Sequence, residues 1–249
     1  MKSIAKQNTP YGPRYSVGSV GFVSHDEMTG ANSPELRNTL DHLVERDSSL
    51  FDEYQHDKIP EIRRRTFAGA VAPAVGRAID AMRLAKSETH AADAALMEPA
   101  LTVDTLLALD YVNGARSLSE AGQDDWIKRA DLAALTAVVA RGNSVPFPEP
   151  IWEQAVERYW LLNWAERFNA AATNPAVPDL GTVLATGPNM DAVMAEAARY
   201  RADHLKRLAA IGVMESVAKD MVAFMAALFD LSAQEALDMV MGRTDATAA

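Results

Sequence analysis

Three of the four tryptophans of this chain fall within one stretch, which runs from Pro150 to about Thr173. Apolar side chains recur there at helical spacing and form one broad face, which consists of Ile151, Trp152, Ala155, Val156, Tyr159 and Trp160. Pro150 suits the first position of a helix, where its missing N–H has no helical partner to lose. Because large aromatic side chains contribute much of the burial energy of a core, the stretch predicts a central helix against which the others pack.

Helix start signals recur along the chain after residue 32. Ser33 followed by Pro34 is a capping residue before a first-turn proline. Asp131 is placed to cap the apolar run that follows it. Ser232 and Glu235 match a capping box, in which each side chain accepts a hydrogen bond from the other residue's backbone N–H. These signals predict helices joined by short connections.

Two residues predict interruptions of the helices. Pro73 lies inside a helical stretch and predicts a kink or break, and Gly212 predicts the end of the helix that begins at Met190. No run of alternating β-branched residues follows residue 32. The sequence therefore predicts an all-α fold, a single domain of about nine or ten packed helices over residues 33–242. A short tail over residues 243–249 follows it.

The first 32 residues have a different composition. Glycine and proline are frequent and no helical period is visible, which is typical of an arm or linker. We therefore expect residues 1–32 to form an extended N-terminal arm. The loosely alternating stretch Tyr15–Val23 predicts a strand that adds to a partner's sheet. Because an arm of this composition lacks a core of its own, we expect a neighbouring subunit to hold it.

Charge also separates the N-terminal segment from the rest. The net charge is −10, which makes nucleic acid an unfavourable partner, yet residues 1–24 contain three basic residues and no acidic one. A basic arm would dock on the acidic body of a neighbouring copy, and a solubilising tail is the alternative that charge leaves open. The residues predicted to contact a neighbour are Tyr11, Arg14, Tyr15 and Phe22 in the arm and the cluster Arg63, Arg64 and Arg65.

The composition argues against several classes of protein. Cysteine is absent, which excludes disulfides, thiolate metal sites and cysteine nucleophiles. The apolar runs over residues 132–140 and 221–229 are about nine residues long, whereas a membrane-spanning helix needs about 20. The N-terminus lacks the apolar core of a signal peptide. We therefore expect no membrane partner, and a location in the cytoplasm or within a virion assembled there.

Candidate catalytic and metal-binding motifs are incomplete. Glu53 and His56 lie on one face of a helix, as in di-iron bundles, but the second copy of that motif is missing. A helical wheel also places them opposite Leu36 and Leu40. His204 lies among charged residues, which predicts an exposed polar face. No serine-nucleophile elbow or phosphate-binding glycine loop occurs, so we predict no catalytic residue, no metal site and no cofactor.

One group of residues is a candidate ligand pocket. Its members, Trp152, Tyr159, Asn163 and Trp164, all lie on the tryptophan-rich stretch. Asn163 is either a buried amide that a neighbour satisfies or the polar member of a pocket. The pocket would make the chain an all-α enzyme or a ligand- or metal-binding protein.

Together these observations favour a structural role. We expect a non-enzymatic subunit of a larger, homo-oligomeric assembly, with a viral or phage virion as the favoured context, whose arm contacts neighbouring subunits. Deletion of residues 1–30 should then abolish the oligomer and leave helical content and melting nearly unchanged. The remaining alternative is an adaptor or regulatory protein that binds a partner through the polar stripe between His42 and His56 or through the methionine-rich C-terminal helices.

Overall fold

The computed structural model describes residues 3–140, 142–178 and 184–243. In these ranges a three-stranded sheet precedes nine helices. The strands are β1 (Ile4–Thr9), β2 (Gly12–Val17) and β3 (Val20–Val23). The helices are α1 (Pro34–Glu53), α2 (Ile59–Met97), α3 (Thr105–Arg116), α4 (Glu120–Arg129), α5 (Leu132–Val139), α6 (Glu149–Arg167), α7 (Ala170–Thr173), α8 (Met190–Phe229) and α9 (Ala233–Val240).

The fold is mostly helical, as predicted, but the sheet means that it is not purely all-α. It divides into two compact units, and the division falls inside the two longest helices. Unit 1 comprises residues 1–88 and 207–249, and unit 2 comprises residues 89–206. The single domain predicted over residues 33–242 stays a prediction. The predicted tail, apart from Arg243, lies outside the described residues.

In unit 1 the three strands form an antiparallel meander in chain order. Tyr15 of β2 pairs with Phe22 of β3. Gly18, which has a φ of +64°, begins the two-residue loop between them, a placement typical of type II′ hairpins. Gly12 has a φ of +126°, and a Cβ there would collide with the carbonyl of Ser24. Both turns of the meander therefore depend on glycine.

This sheet replaces the extended arm predicted over residues 1–32. Tyr15 and Phe22 are buried in the core of unit 1, and the Phe22 ring meets Phe224 edge to face with centroids 5.4 Å apart. The strand expected to add to a partner pairs within its own chain. The prediction was wrong because the glycines and prolines belong to a tight meander, whose strands are too short to show a clear period. Since the segment supplies core residues, we now expect its deletion to destabilise unit 1.

A buried ion pair fastens the sheet to two helices. Arg63 on α2 donates to both carboxylate oxygens of Asp47 on α1, with Nε–Oδ1 at 2.6 Å and Nη2–Oδ2 at 2.7 Å. Both side chains are buried. Asp47 Oδ2 also accepts the backbone N–H of Ile4 at 2.9 Å. Asp47 therefore connects β1, α1 and α2.

Three predicted helix starts lie where the capping residues indicate. Ser33 caps α1 and Asp131 caps α5, each through its side-chain oxygen. Ser232 and Glu235 form the complete capping box of α9. The short side chains of Ser33, Asp131 and Ser232 accept hydrogen bonds from backbone N–H groups that have no partner within the helix.

Of the kink or break predicted at Pro73, the break does not occur, and the predicted helix end at Gly212 is wrong. α2 continues through Pro73, and α8 continues through Gly212. A proline inside a helix costs about 3 kcal/mol, and an interior glycine costs about 1 kcal/mol. Around Pro73, the side chains of Val71, Ala72 and Val75 are buried in the core, and this packing outweighs the local penalty.

The tryptophan-rich helix, α6, is predicted to be the centre of the whole fold, but it is central to unit 2 only. Among the described residues, the core cluster of unit 1 contains none of its side chains. In unit 2, α6 contributes Ile151, Ala155 and Tyr159 to an apolar cluster that it shares with α3, α4 and α5. It contributes Trp160 and Trp164 to a second cluster with the end of α2 and the start of α8. α6 therefore joins the two cores of this unit.

Candidate interaction surfaces

The N-terminal residues predicted to contact a neighbour divide into a buried and an exposed group. Tyr15 and Phe22 belong to the core of unit 1. Tyr11, in the turn between β1 and β2, is 67% exposed, and Arg14 is partly exposed. Tyr11 and Arg14 therefore remain accessible to a partner, whereas Tyr15 and Phe22 do not.

Polar contacts fix the sheet on α1. The Tyr15 hydroxyl donates to Asp41 Oδ1 at 2.8 Å, and Lys6 Nζ lies 2.7 Å from the same oxygen. Burial, followed by this hydrogen bond, raises the pKa of Tyr15 well above its ordinary value. Burial also acts to raise the pKa of Asp41, but the hydrogen bonds from Lys6 and Tyr15 outweigh it and hold this pKa below its ordinary value. Asp41 is therefore ionised at neutral pH.

β3 is an edge strand, and its pairing shows which backbone groups point outward. The Ser24 N–H donates to the Pro13 carbonyl at 2.8 Å. Because bonded and non-bonded positions alternate in an antiparallel ladder, Phe22 bonds to β2, whereas Gly21 and Val23 point their N–H and C=O groups away from it. Among the residues that the structure describes, no hydrogen bond reaches those outward groups.

The predicted basic cluster is mostly structural. Arg63 is the buried partner of Asp47. Arg64 Nη2 donates to the carbonyl of Phe229, at the end of α8, at 3.2 Å. Arg65 is exposed. Three successive residues on a helix point in different directions, so Arg65 is the member of the cluster best placed to meet a partner.

The predicted pocket residue Asn163 instead secures the end of α2. Its amide nitrogen donates to the carbonyls of Leu96 and Glu98, at 2.7 Å and 2.8 Å. Its Oδ1 accepts the N–H of Ala100 at 2.7 Å. The last carbonyls of a helix have no partner within it, and α6 supplies one here. Asn163 is thus the buried, satisfied amide that was one of its two predicted roles.

The other three pocket residues also lie in packed surroundings. Tyr159 is buried, which raises the pKa of its hydroxyl, and it donates to the Met97 carbonyl at 3.1 Å. Trp164 is buried, and Trp152 is half-buried against the cluster around Tyr159. Packing and helix capping account for the contacts of all four side chains.

Sequence reasoning missed a polar contact within the second core of unit 2. His204, predicted to be exposed, is only 1% exposed, and its Nε2 lies 2.9 Å from Asp93 Oδ1. The His204 ring lies 6.1 Å from that of Trp160. The ring is buried and Nε2 is engaged, so the pair holds α8 against α2. Asp93 lies in an alanine-rich stretch that gave no signal of its partner.

The polar stripe predicted between His42 and His56 is exposed, but α1 ends at Glu53, so His56 lies beyond the helix and does not share a helical face with Glu53. His42 and Glu53 are exposed, whereas Leu36 and Leu40 are buried. In the described ranges, no three histidine, aspartate or glutamate side chains are grouped to hold a metal ion.

An open groove of about 380 Å³ lies beside the loop between β3 and α1. Asp26 and Asn32 are among the residues that line it. Asp26 Oδ1 lies 2.6 Å from Arg37 Nη2, and the Asn32 amide donates to the Asp26 carbonyl at 2.5 Å. These polar groups therefore bind one another and hold the loop in place.

α3 presents leucines to solvent. Leu106 is 74% exposed and Leu109 is 53% exposed, and Leu107 between them is also exposed. Leu106 and Leu109 are three residues apart and share one face of the helix, while Ala115 is buried on the other side. The signal was present in the sequence, because a wheel over this helix puts Leu106 and Leu109 on the same side as Asp110.

No family model, curated protein or solved structure matches this chain. Among the described residues, no helix combines the length and the apolar character needed to cross a bilayer.

Proposed function

We propose that this chain is a non-enzymatic subunit that assembles with other copies of itself, and that α3 forms one of the contacts. The observation that carries the proposal is the exposure of Leu106, Leu107 and Leu109 on one helix. Contiguous exposed apolar side chains mark protein contacts. Each Å² of apolar surface removed from water stabilises a contact by about 25 cal/mol. These leucines are exposed on their own chain, so another molecule has to cover them.

A second copy of this chain is the proposed occupant of this face. Two copies of α3 packed antiparallel across a two-fold axis cover the leucines of both helices. Asp110, midway along the helix, approaches its own counterpart, and this repulsion weakens the contact at neutral pH.

The N-terminal segment no longer supports a virion in particular. That context was expected because virion components use extended arms, and residues 4–23 instead form a sheet on their own chain. We therefore propose self-assembly without naming a particle. The alternative of an all-α enzyme has weaker support, because Asn163 and Tyr159 are engaged with the end of α2.

Light scattering coupled to gel filtration tests the proposal on the full-length chain. We expect a mass above that of one chain, and a smaller mass for the double variant Leu106→Asp/Leu109→Asp, because charge on this face opposes its burial. Leu84→Asp is the matched control, since Leu84 is 60% exposed on α2 in unit 1. Asp110→Asn should strengthen the association.

Circular dichroism confirms that the variants are folded before the masses are compared. A wild-type chain that stays monomeric at every concentration contradicts self-assembly. An unchanged mass for the double variant would show that α3 is not a contact.

A further inference from the structure

We infer that β3 is a second contact between copies, in which the β3 strands of two subunits pair antiparallel across a two-fold axis. The two meanders would then form one continuous sheet. The inference rests on the self-assembly proposed above, but it concerns unit 1 and a different surface.

β3 is the less protected edge of the sheet. Native sheets usually protect their edge strands with charged side chains, prolines, bulges or a covering element. β1, at the other edge, carries Lys6 and lies against α1. β3 consists of valine, glycine and phenylalanine alone, and the backbone groups of Gly21 and Val23 point outward from it. β3 is therefore the edge suited to a further strand.

The outer edge of β3 is complementary to a second copy of itself. When two β3 strands pair antiparallel about Phe22, Gly21 of each copy lies opposite Val23 of the other. The outward N–H and C=O groups of both residues are then hydrogen-bonded to the other copy. The paired residues lie within β3, so the turn between β2 and β3 is unchanged. Because the same strand supplies both sides, the contact closes on a two-fold axis, as in most homodimers.

The nearest arginines do not prevent two β3 strands from pairing. Arg14 on β2 lies opposite Val23 of the same copy, so the pairing brings two Arg14 side chains to the same sheet. They are separated by three strand spacings of about 4.8 Å, or about 14 Å. This exceeds the Debye length of about 8 Å at physiological ionic strength, so their repulsion is largely screened.

The test blocks the edge without breaking the meander. Val23→Pro removes an N–H that points outward, and Val23→Lys places a charge at the edge. Gln7→Lys adds the same charge to β1 and is the matched control, since Gln7 is exposed. In the Leu106→Asp/Leu109→Asp background, light scattering should show a dimer that either Val23 substitution dissociates and Gln7→Lys preserves.

The chain has no cysteine, so a single introduced cysteine can report on the pairing. In the Val23→Cys variant, a short bis-maleimide should cross-link position 23 of one subunit to position 23 of the other. The Ser48→Cys variant, altered on the exposed side of α1, should not cross-link. Cross-linking therefore still tests the β3 pairing if the Val23→Pro variant fails to fold.

The outcomes separate the two proposals. If wild type assembles and both Val23→Lys and Val23→Cys behave like their controls, the β3 pairing is wrong while assembly through α3 stands. A monomeric wild-type chain overturns both.

Discussion

The two units satisfy their buried polar groups by different means. Unit 1 uses full charges, with Arg63 paired to Asp47 and the backbone of β1 bonded to the same carboxylate. Unit 2 contains the His204–Asp93 contact, and it uses the neutral amide of Asn163 to bind the end of α2. In the described part of unit 2, the indole N–H groups of Trp160 and Trp164 lack a hydrogen-bond partner.

The stability of the two units should therefore respond differently when one buried polar side chain is removed. A buried ion pair gains little net free energy when intact, but loss of one partner leaves an uncompensated charge. A neutral amide and its neutral partners have smaller desolvation costs than a charge. Removal of the amide should therefore reduce the free energy of unfolding by less. Loss of Arg63 in unit 1 should therefore cost more stability than loss of Asn163 in unit 2.

The largest effect is expected for Arg63→Met. It leaves the buried Asp47 carboxyl without its cationic partner, with the hydrogen bond from the Ile4 N–H still in place, and should cost about 3–5 kcal/mol of the free energy of unfolding. Urea denaturation followed by circular dichroism measures the loss.

The double variant Asp47→Leu/Arg63→Met is the control. Because both charges are gone, it should lose less than Arg63→Met alone, although the Ile4 N–H is left without its acceptor. A double variant as unstable as the single one would show that shape, and not charge, makes this site sensitive.

A smaller loss is expected for Asn163→Leu in unit 2. It removes the donors and the acceptor that bind the end of α2, and buried groups left unsatisfied cost about 1–3 kcal/mol. The loss should be the same at pH 5 and pH 8, because an amide does not titrate. Gln154→Leu, at an exposed position of the same helix, is the control. A cost for Gln154→Leu equal to that of Asn163→Leu would contradict the capping role.

The pH dependence of unit 1 is expected at Asp41. Its pKa is lower in the folded chain than in the unfolded one, so its contribution is complete above the ordinary pKa of about 4 and is lost as the pH falls through the folded value. Asp41→Asn should cost about 0.5–1 kcal/mol at pH 7, since Lys6 and Asp41 are partly exposed. Urea denaturation at acid pH should find the variant and the wild type closer in stability, and a gap that does not narrow would contradict this account.

The smallest effect is expected for Arg65→Ala. Arg65 is exposed beside the buried Arg63, so thermal unfolding should detect a change of less than about 0.5 kcal/mol. A loss comparable to that of Arg63→Met would mean that Arg65 has a structural role that its exposure does not reveal.

The helical part of this fold could be predicted because its signals are local. Caps such as Ser33 and the aromatic face of α6 depend on residues close in sequence. The sheet could not be predicted in the same way, since the burial of Phe22 depends on Phe224 at the other end of the chain. The sequence could not decide whether Asn163 is a satisfied buried amide or a pocket residue. Its partners at Leu96 and Glu98 are distant in sequence, so nothing near Asn163 indicates them. The continuity of α2 through Pro73 likewise follows from tertiary packing that outweighs a local penalty.

The discontinuity of unit 1 has a consequence for the order in which the nascent chain can fold. On the ribosome the meander emerges before unit 2, whereas Phe224, which packs on Phe22, lies near the C-terminal end of α8 and emerges after that unit. All of residues 89–206 emerge in between. The tryptophan-rich unit is therefore the first part of the chain that can complete its core during translation, and the meander has to wait for the C-terminal helices before its aromatic face is covered.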